Sequence, residues 1–398
     1  MGFIEKNIKG DRIIWIIVLF LMLVSLLAVY SSTGTLAYAK KGGNTAYYVL
    51  KHLVMLLLGL GAMVFVHRIP PRYIAGFANV MMAFGAVTLL AALVMGTTTN
   101  GASRWLNLGF FSFQPSEFAK MALIVFVARH LALNQHEKDA RKAFVPIMGG
   151  MAIICGLIFR ENLSTTLLLG GTCMLLMFVG RIPMKYLLSV TAIGVVGIVI
   201  ILLLAPHISF LPRVKTWRAR VERFWNPDEH GDSASNFQSE QAKMAVATGG
   251  VIGRGPGNSY YRNFLPMAFS DFIFAIILEE YGLIGGGLVL LCYLVLMARG
   301  VNIARRCERP FHIFLVLGIT TLIVLQAFVN MGVCVGIFPV TGQTLPLVSM
   351  GGTSNIFTGM AIGAILSVSR FNEEEDELTA GDEQEEMVQT GQEKVVEV

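Results

Sequence analysis

The chain has 398 residues and a net charge of +5; 55% of its residues are hydrophobic and 14% are charged, with a mean hydropathy of +0.65. Soluble domains carry roughly a quarter charged residues, so this composition excludes a soluble globular protein. Nearly every stretch between charge clusters has the length of about 20 residues that a helix needs to cross a bilayer.

The hydropathy pattern predicts an all-α membrane protein with ten transmembrane helices. The first apolar run, Ile13 to Tyr30, is too long for a signal-peptide core and lacks a small-residue cleavage site, so a retained first helix is expected. The ten predicted spans are 13–31, 47–66, 75–96, 116–133, 144–159, 165–180, 186–205, 269–298, 313–333 and 352–369.

The distribution of Lys and Arg predicts the orientation of these spans. With a cytoplasmic N-terminus, sixteen Lys and Arg residues fall in inner segments and four in the short outer loops, namely Lys40, Lys41, Arg104 and Arg160. Because cytoplasmic loops are enriched in Lys and Arg, both termini are predicted to be cytoplasmic.

The fourth predicted span begins with two charged side chains. Glu117 and Lys120 stand three positions apart, which places them on one helix face where they can neutralise each other. A stabilising intrahelical ion pair is one interpretation. The other is that the pair lines a polar cavity near the outer surface.

A large extracytoplasmic loop, residues 206–268, separates helices 7 and 8. It is rich in Arg and Lys although it faces outward, and loops of this length are translocated regardless of charge. A solvated face or attraction to lipid headgroups is the simple explanation. The functional alternative is a site for a pyrophosphate-bearing substrate, since Arg and Lys bind phosphate oxygens through charge-assisted hydrogen bonds.

Asp271 ends this basic loop and opens an apolar helix. Ser270 or Asp271 could simply be the helix N-cap. The residues that follow Asp271 are nearly all apolar, however, and a partly desolvated carboxylate there suits a general base that deprotonates a sugar hydroxyl. Further along the same helix, Glu279 and Glu280 are interpreted as anchors that pair with Arg or Lys of neighbouring helices, rather than as second catalytic carboxylates.

The segment between helices 9 and 10 has an unusual composition. Residues 338–354 are too apolar for an exposed turn and too rich in Pro and Gly for a helix. Irregular backbone at membrane depth is tolerated only where it is buried in protein or lines a cavity. A re-entrant-type loop that forms a cavity wall is therefore predicted.

The C-terminal part, residues 370–398, differs from the membrane domain 1–369. From Glu373 onward it has eleven acidic residues against one lysine. Such a composition cannot bury a core, so an acidic, disordered cytoplasmic tail is predicted, which solubilises the chain or binds a partner.

Five short motifs occur along the chain in order. They are Arg104-Trp105 with Gln114-Pro115-Ser116-Glu117-Phe118-Ala119-Lys120; Phe224-Trp225-Asn226-Pro227; Gly255-Pro256-Gly257-Asn258-Ser259; Asp271-Phe272-Ile273-Phe274-Ala275 with Glu279-Glu280-Tyr281-Gly282; and Pro339-x-x-Gly342-x-x-Leu345-Pro346-Leu347-x-Ser349-x-Gly351-Gly352. Each motif alone is weak evidence for a family. Together, and with the predicted topology, they make the chain resemble the SEDS family (shape, elongation, division and sporulation) along nearly its whole length except the acidic tail.

This resemblance implies a peptidoglycan glycosyltransferase of the inner membrane that polymerises lipid II together with a class B penicillin-binding protein, the transpeptidase. The motif Phe224-Trp225-Asn226-Pro227 and the helix with Ala327-x-x-Asn330 are more similar to the division members than to the elongation members. Septal cell-wall synthesis, with other division proteins as partners, is therefore expected, and elongation is the alternative.

The resemblance also implies roles for individual residues. The essential aspartate of the family falls on Asp271, its ion pair on Glu117 and Lys120, and two outer-loop positions on Arg104 and Trp105. Further predicted substrate contacts are Arg220, Arg262, Asn258, Ser259 and Ser349. The sequence departs from the family pattern at Met267, where a glutamate is usual, and at Met350, where a tyrosine is usual.

The mechanism expected from these residues is an inverting glycosyl transfer. Asp271 takes the proton of the acceptor hydroxyl, and basic loop residues stabilise the departing pyrophosphate. A divalent cation, Mg²⁺ or Mn²⁺, is an alternative partner for the pyrophosphate, although no metal-ligand spacing indicates one.

Three other function classes stay open at this point. A lipid flippase would use the same arginines and cavity but would need no base. The sequence gives less support to an ion-coupled transporter. Such proteins usually carry ionisable residues near mid-membrane, and several predicted spans here carry none. A scaffold that recruits division partners would depend on the acidic tail.

Overall fold

The chain is helical over most of its length. The structure, a computed structural model, describes residues 9–41, 43–99, 102–107, 112–135, 137, 139–203, 214–225, 234–265 and 268–396. The α-helices among these residues are α1 (Arg12–Ser32), α2 (Gly34–Lys41), α3 (Thr45–His67), α4 (Pro71–Met95), α5 (Pro115–Leu133), α6 (Arg141–Phe159), α7 (Leu163–Val179), α8 (Met184–Leu203), α9 (Val214–Trp225), α10 (Ala234–Gly249), α11 (Ile273–Arg306), α12 (Pro310–Cys334) and α13 (Thr353–Val396).

Each of the ten predicted spans overlaps one of these helices. In the described part of the chain, seven helices are long and apolar enough to cross a membrane by length and composition: α1, α3, α4, α6, α8, α11 and α12. The apolar helix α7 is shorter, with 17 residues. The chain is thus a multi-pass membrane protein, whereas the count of ten spans stays a prediction.

The all-α prediction is wrong between α4 and α5. Three short strands, β1 (Thr97–Thr99), β2 (Ala102–Asn107) and β3 (Ser112–Phe113), form an antiparallel sheet in the order β1-β2-β3. The three threonines of β1 and the aromatic residues of β2 and β3 favour extended backbone. Hydropathy does not register such short strands, because it averages over the length of a helix.

Much of the predicted large loop is also ordered secondary structure. It contains α9, α10 and a 3₁₀ turn at Tyr261–Asn263, while residues 204–213, 226–233 and 266–267, including Met267, lie outside the described residues. Trp217 of α9 is buried against Phe159, Leu163 and Ile201. Because these three residues lie at the ends of α6, α7 and α8, helix α9 packs onto one end of the helix bundle.

Helix α11 is interrupted at Gly282, whose backbone is non-helical (φ 65°, ψ −166°). The amide groups of Arg254 and Gly255 donate to the carbonyls of Glu279 and Glu280, both at 2.9 Å. On the other side of the break, the amide of Leu283 donates to the carbonyl of Gly250 at 3.0 Å. The outer loop therefore supplies the backbone partners that an interrupted helix in a membrane protein lacks.

The segment between α12 and α13, residues 335–352, has no regular secondary structure and is referred to below as the irregular segment. Leu345, Val348 and Ser349 within it are buried. Side chains of the surrounding helices donate hydrogen bonds to its carbonyls, including Tyr293 to Pro346 at 2.5 Å and Ser25 to Val348 at 2.7 Å. The segment is therefore irregular backbone buried in protein, and its role as a re-entrant cavity wall stays a prediction.

The last helix, α13, differs from the prediction because it runs to Val396 rather than ending at 369. The predicted disordered tail is helical in its described backbone, and it is rich in Glu and Gln, which are good helix formers. Its first residues also contact the membrane domain: Glu373 accepts the amide of Gly10 at 2.8 Å, and Glu375 pairs with Arg309 at 2.8 Å. The division of the chain at residue 370 stays a prediction.

Candidate active site

Asp271 lies just before α11, half-buried, with its carboxylate accepting a hydrogen bond from the Ser270 hydroxyl at 2.8 Å. The first helical residue is Ile273 and the N-cap is Phe272, whose side chain cannot accept a hydrogen bond. Asp271 is therefore not the N-cap of the helix, which removes the simplest structural explanation for a carboxylate at this position. The residues that follow, from Phe272 to Leu278, are buried and apolar, as predicted.

Gly342 of the irregular segment lies against this carboxylate. A Cβ atom built on Gly342 would be 3.5 Å from Oδ2 of Asp271, and the backbone of Gly342 has a φ of +69°. A side chain at position 342 would therefore strain the backbone and would come into van der Waals contact with the carboxylate. The sequence indicated the glycine-rich motif but not that Gly342 faces Asp271.

Asn330 of α12 connects Asp271 with the irregular segment. Its side-chain Nδ2 donates to the carbonyl of Asp271 at 2.9 Å and to the carbonyl of Gln343 at 2.7 Å. The sequence marked Asn330 only as a subfamily feature. Asn330 and Gln326 are amide side chains within a largely apolar predicted span, and this was the available signal that both need hydrogen-bond partners.

The Ser349 side chain forms hydrogen bonds that hold the irregular segment in place. Its hydroxyl donates to the carbonyl of Ser270 at 2.6 Å and accepts the amide of Leu345 at 2.8 Å, and its side chain is fully buried. Ser349 therefore fixes the backbone beside Asp271. A direct contact of Ser349 with substrate stays a prediction, and these hydrogen bonds favour a structural role.

Glu117 and Lys120 form the predicted ion pair, with Nζ and Oε1 2.9 Å apart and only 4% of the Lys120 side chain exposed. The pair also has partners elsewhere in the chain: Lys120 donates to Gln326 at 2.9 Å, and the Ser354 hydroxyl donates to Glu117 at 3.0 Å. Gln326 in turn donates to the carbonyl of Thr344 at 3.0 Å. The pair thus connects α5 with the irregular segment and the start of α13.

A small cleft opens beside the start of α5. Its polar lining comes from Gln114, Ser116, Glu161 and Asn162, and the remaining lining is mainly apolar. Glu117 and Lys120 are not among the described residues that line this cleft, so the predicted polar cavity at the pair stays a prediction. Both interpretations of the ion pair therefore remain compatible with the structure.

The structure separates the two arginines predicted to bind pyrophosphate. Arg220 of α9 donates to the carbonyl of Val340 at 3.0 Å, two residues before Gly342, so it lies beside the wall that faces Asp271. Arg262 donates to the carbonyl and the hydroxyl of Ser31 at 3.1 Å each, at the end of α1. The contact of Arg220 favours a place near the reacting groups, and that of Arg262 favours an anchor for the outer loop.

Arg104 and Trp105 lie on β2. Thr98 pairs with Ser103 and Thr97 pairs with Trp105, so Arg104 is the extra residue of a β-bulge. Bulges re-aim side chains and are common next to active sites. The Arg104 side chain lies outside the described part of the structure, and Trp105 is half-buried. Their substrate contacts stay predictions.

Glu279 and Glu280 anchor the outer loop, although their partners differ from those predicted. The buried Glu279 accepts the Ser259 hydroxyl at 2.5 Å and the Tyr260 amide at 2.8 Å, and it pairs with Arg254 at 3.7 Å. Glu280 accepts the hydroxyl of Ser31. The donors to Glu279 are a hydroxyl, a backbone amide and an arginine of the outer loop, and the donor to Glu280 is a hydroxyl of α1. Neither carboxylate is paired in these contacts with a Lys or Arg of a neighbouring helix, as had been predicted.

Asn258 and Ser259 belong to the same anchored turn. The Asn258 side chain donates to the carbonyl of Arg254 at 3.2 Å, whereas Ser259 is buried under its hydrogen bond to Glu279. Asn258 is exposed and therefore accessible to a ligand. The contacts of Ser259 favour a structural role, and its predicted substrate contact stays untested.

Among the described residues, no group of three or more His, Cys, Asp or Glu side chains is arranged to hold a metal ion. The predicted divalent cation therefore has no protein site built from these residues.

Comparison with known proteins agrees with the motif order. The model of the cell cycle protein family FtsW/RodA/SpoVE matches residues 11–374. Stage V sporulation protein E of Bacillus subtilis is 34% identical over 376 residues, covering 92% of this chain and 99% of that protein. The probable peptidoglycan glycosyltransferase FtsW of Geobacter metallireducens is 35% identical over 368 residues, covering 91% of this chain and 95% of that protein.

Two solved structures share the fold. A chain of a peptidoglycan synthase complex superimposes with a TM-score of 0.70 at 25% identity, covering 91% of this chain and 98% of that one. The rod shape determining protein RodA of Thermus thermophilus superimposes with a TM-score of 0.65 at 24% identity, covering 91% of this chain and 97% of that one. The family match covers residues 11–374, and the chain belongs to the FtsW/RodA/SpoVE family of cell cycle proteins, the SEDS family that its motifs predicted.

Proposed function

We propose that the chain is a peptidoglycan glycosyltransferase that polymerises lipid II at the outer face of the cytoplasmic membrane. The observation that carries this function is the Asp271 carboxylate, half-buried between an apolar helix start and the irregular segment and not used as a helix cap. Family membership and relatives named as peptidoglycan glycosyltransferases support the same reaction.

Asp271 is the general base of the proposed reaction. It removes the proton from the sugar hydroxyl of the acceptor, and the oxygen attacks the anomeric carbon of the donor. The bond from that carbon to the pyrophosphate breaks, and the electron pair leaves with undecaprenyl pyrophosphate, so the configuration inverts. Arg220 lies beside the wall that faces Asp271 and is the described arginine best situated to stabilise the negative charge of the leaving group.

The proposed topology has ten transmembrane helices and both termini in the cytoplasm. It rests on the distribution of Lys and Arg and on a helix at each of the ten predicted spans. It puts Asp271, the sheet β1-β2-β3 and the outer loop on the side where the polymer is assembled. The acidic part of α13 then lies in the cytoplasm.

The proposed role is septal cell-wall synthesis, with a class B penicillin-binding protein as partner and enrichment at the division site. The FtsW names of several relatives support division, and the fold shared with a chain of a peptidoglycan synthase complex supports a transpeptidase partner. An elongation role of the RodA type is the alternative, since that protein has the same fold. Depletion followed by microscopy separates them: filaments without septa support division, whereas round cells support elongation.

Lipid II polymerisation by the purified protein, with and without the cognate penicillin-binding protein, tests the activity. Wild type is compared with Asp271→Asn, which keeps the size but removes the base, and with Asp139→Asn, the same exchange at an exposed position outside the site. We expect polymer from wild type and Asp139→Asn and none from folded Asp271→Asn.

Full activity of Asp271→Asn would remove Asp271 as the base. If wild type makes no polymer even with its partner but moves labelled lipid II across a vesicle membrane, the chain is a flippase instead.

A further inference from the structure

Asn330 couples Asp271 to the irregular segment through a single amide group. Both of its Nδ2 hydrogens are used, one on the Asp271 carbonyl at 2.9 Å and one on the Gln343 carbonyl at 2.7 Å. Gln343 directly follows Gly342, the residue that lies against the Asp271 carboxylate. Because an amide is planar and its two N–H bonds diverge at a fixed angle, this group constrains the distance between the two backbones, together with the Ser349 hydroxyl, which donates to the carbonyl of Ser270 at 2.6 Å.

Other side chains hold the irregular segment without reaching Asp271. Tyr293 of α11 donates to Pro346, and Ser25 of α1 donates to Val348. These hydrogen bonds fix the segment to the helix bundle. Asn330 differs because its second donor reaches the residue that carries the proposed base.

The remaining polar atom of Asn330 points to a role beyond stability. The side chain is 1% exposed, and within the described part of the chain its Oδ1 has no hydrogen-bond partner. A buried acceptor without a partner costs stability, so an apolar residue of the same shape would avoid that cost. The presence of an amide here is explained if both of its N–H groups are required.

We propose that Asn330 is a positioning residue of the glycosyl transfer, which fixes the Asp271 carboxylate relative to the backbone at Gly342. In the proposed reaction, the gap between these two groups helps to fix where the carboxylate meets the acceptor hydroxyl. Displacement of a catalytic group by about 1 Å can cost about 100-fold in rate, so a small relaxation of this gap would reduce turnover. The role of Asn330 rests on the proposed function, in which Asp271 is the base.

Lipid II polymerisation by Asn330→Leu, measured as kcat and KM separately, tests this role. Leucine keeps the approximate shape but has no donor. We expect kcat to fall about 10- to 100-fold while KM stays within about threefold, because positioning acts on the transition state and not on ground-state binding. Tyr293→Phe removes a different hydrogen bond from the same segment and is expected to keep wild-type kcat with a lower Tm.

A double-mutant cycle with Asp271→Glu distinguishes positioning from a general loss of stability. The longer glutamate side chain of that variant already displaces the carboxylate, so Asn330→Leu should cost much less in this background than in wild type. Equal fold losses in both backgrounds, or a wild-type kcat for folded Asn330→Leu, would overturn the positioning role. Asn330→Ser, which keeps one small donor, undergoes the same cycle if Asn330→Leu does not fold.

Two outcomes distinguish a wrong role for Asn330 from a wrong role for Asp271. If Asp271→Asn is inactive but folded Asn330→Leu turns over like wild type, only the positioning role fails. If Asp271→Asn is itself fully active, the base has been misassigned and the role of Asn330 fails with it.

Discussion

Gly253 of the outer loop and Gly282 of α11 lie backbone against backbone. A Cβ atom built on Gly282 would be 2.5 Å from the amide nitrogen of Gly253, and one built on Gly253 would be 2.6 Å from that of Gly282. Both residues have positive φ, +87° and +65°. The outer loop can enter the break in α11 only because neither position carries a side chain.

Gly282→Ala is therefore expected to lower the Tm strongly or to prevent folding, because an alanine meets backbone atoms that cannot move aside. Thermal unfolding of the detergent-purified protein measures the effect. Gly287→Ala is the matched control, since it lies in the same helix with nothing within 4 Å of its added Cβ. The control should be neutral or stabilised by about 0.5–1 kcal/mol. Equal effects of the two exchanges would contradict the proposed backbone contact.

Gly342→Ala is expected to reduce polymerisation more than it reduces stability. The new Cβ would stand in van der Waals contact with Oδ2 of Asp271, at 3.5 Å, and would cover part of the carboxylate. Gly352→Ala is the control: it has a comparable φ of +57° but open space around its Cβ. Both variants carry a similar backbone strain of about 1–2 kcal/mol, so their Tm values should fall together. Activity should fall only in Gly342→Ala. If the two variants lost activity equally, the contact of the new Cβ with the Asp271 carboxylate would be excluded as the cause of the loss.

Glu117→Gln should be strongly destabilising, because it leaves Lys120 buried without its carboxylate. Breaking a buried ion pair from one side typically costs about 3–5 kcal/mol. The double variant Glu117→Gln with Lys120→Met removes both charges and should regain most of the Tm. Activity of this double variant then separates the two interpretations: recovery supports a purely structural pair, and continued loss supports a pair that borders the substrate cavity.

Glu279→Gln should loosen the outer loop, because Oε2 of Glu279 accepts the Ser259 hydroxyl and Oε1 accepts the Tyr260 amide, and the exchange turns one of these two acceptors into a donor. We expect faster hydrogen exchange in residues 254–263 and a lower Tm. Glu222→Gln, which disturbs only the exposed pair with Arg218, is the control and should leave exchange in this region unchanged. Unaltered exchange in Glu279→Gln would mean that the loop is held by other contacts.

Two truncations test where the tail begins. Removal of residues 376–398 keeps the contacts of Glu373 and Glu375 and is expected to leave the Tm unchanged. Removal of residues 370–398 also deletes the Asn372 side chain, which lies 3.1 Å from the buried Cys307, and should lower the Tm. Equal Tm values for the two truncations would place the boundary near residue 370, as predicted from composition.

The sequence alone determined the membrane class, the helical segments and the candidate base. These features are local: an apolar stretch of about 20 residues forms a helix in lipid whatever its neighbours are, because its backbone groups must be satisfied within the segment. Asp271 could be selected because its apolar successors are adjacent in the chain. The family motifs added the order in which such local features occur.

Only the tertiary structure decided which groups surround Asp271. Asn330 is 59 positions from Asp271 and reaches it because α12 packs beside the start of α11. Ser259 was predicted to contact substrate from its motif but turns toward Glu279, 20 positions away. The break at Gly282 exists because the loop at Gly253 supplies its partners. Hydrogen bonds between distant segments depend on how the helices pack, and a local pattern does not encode which buried donor meets which carbonyl.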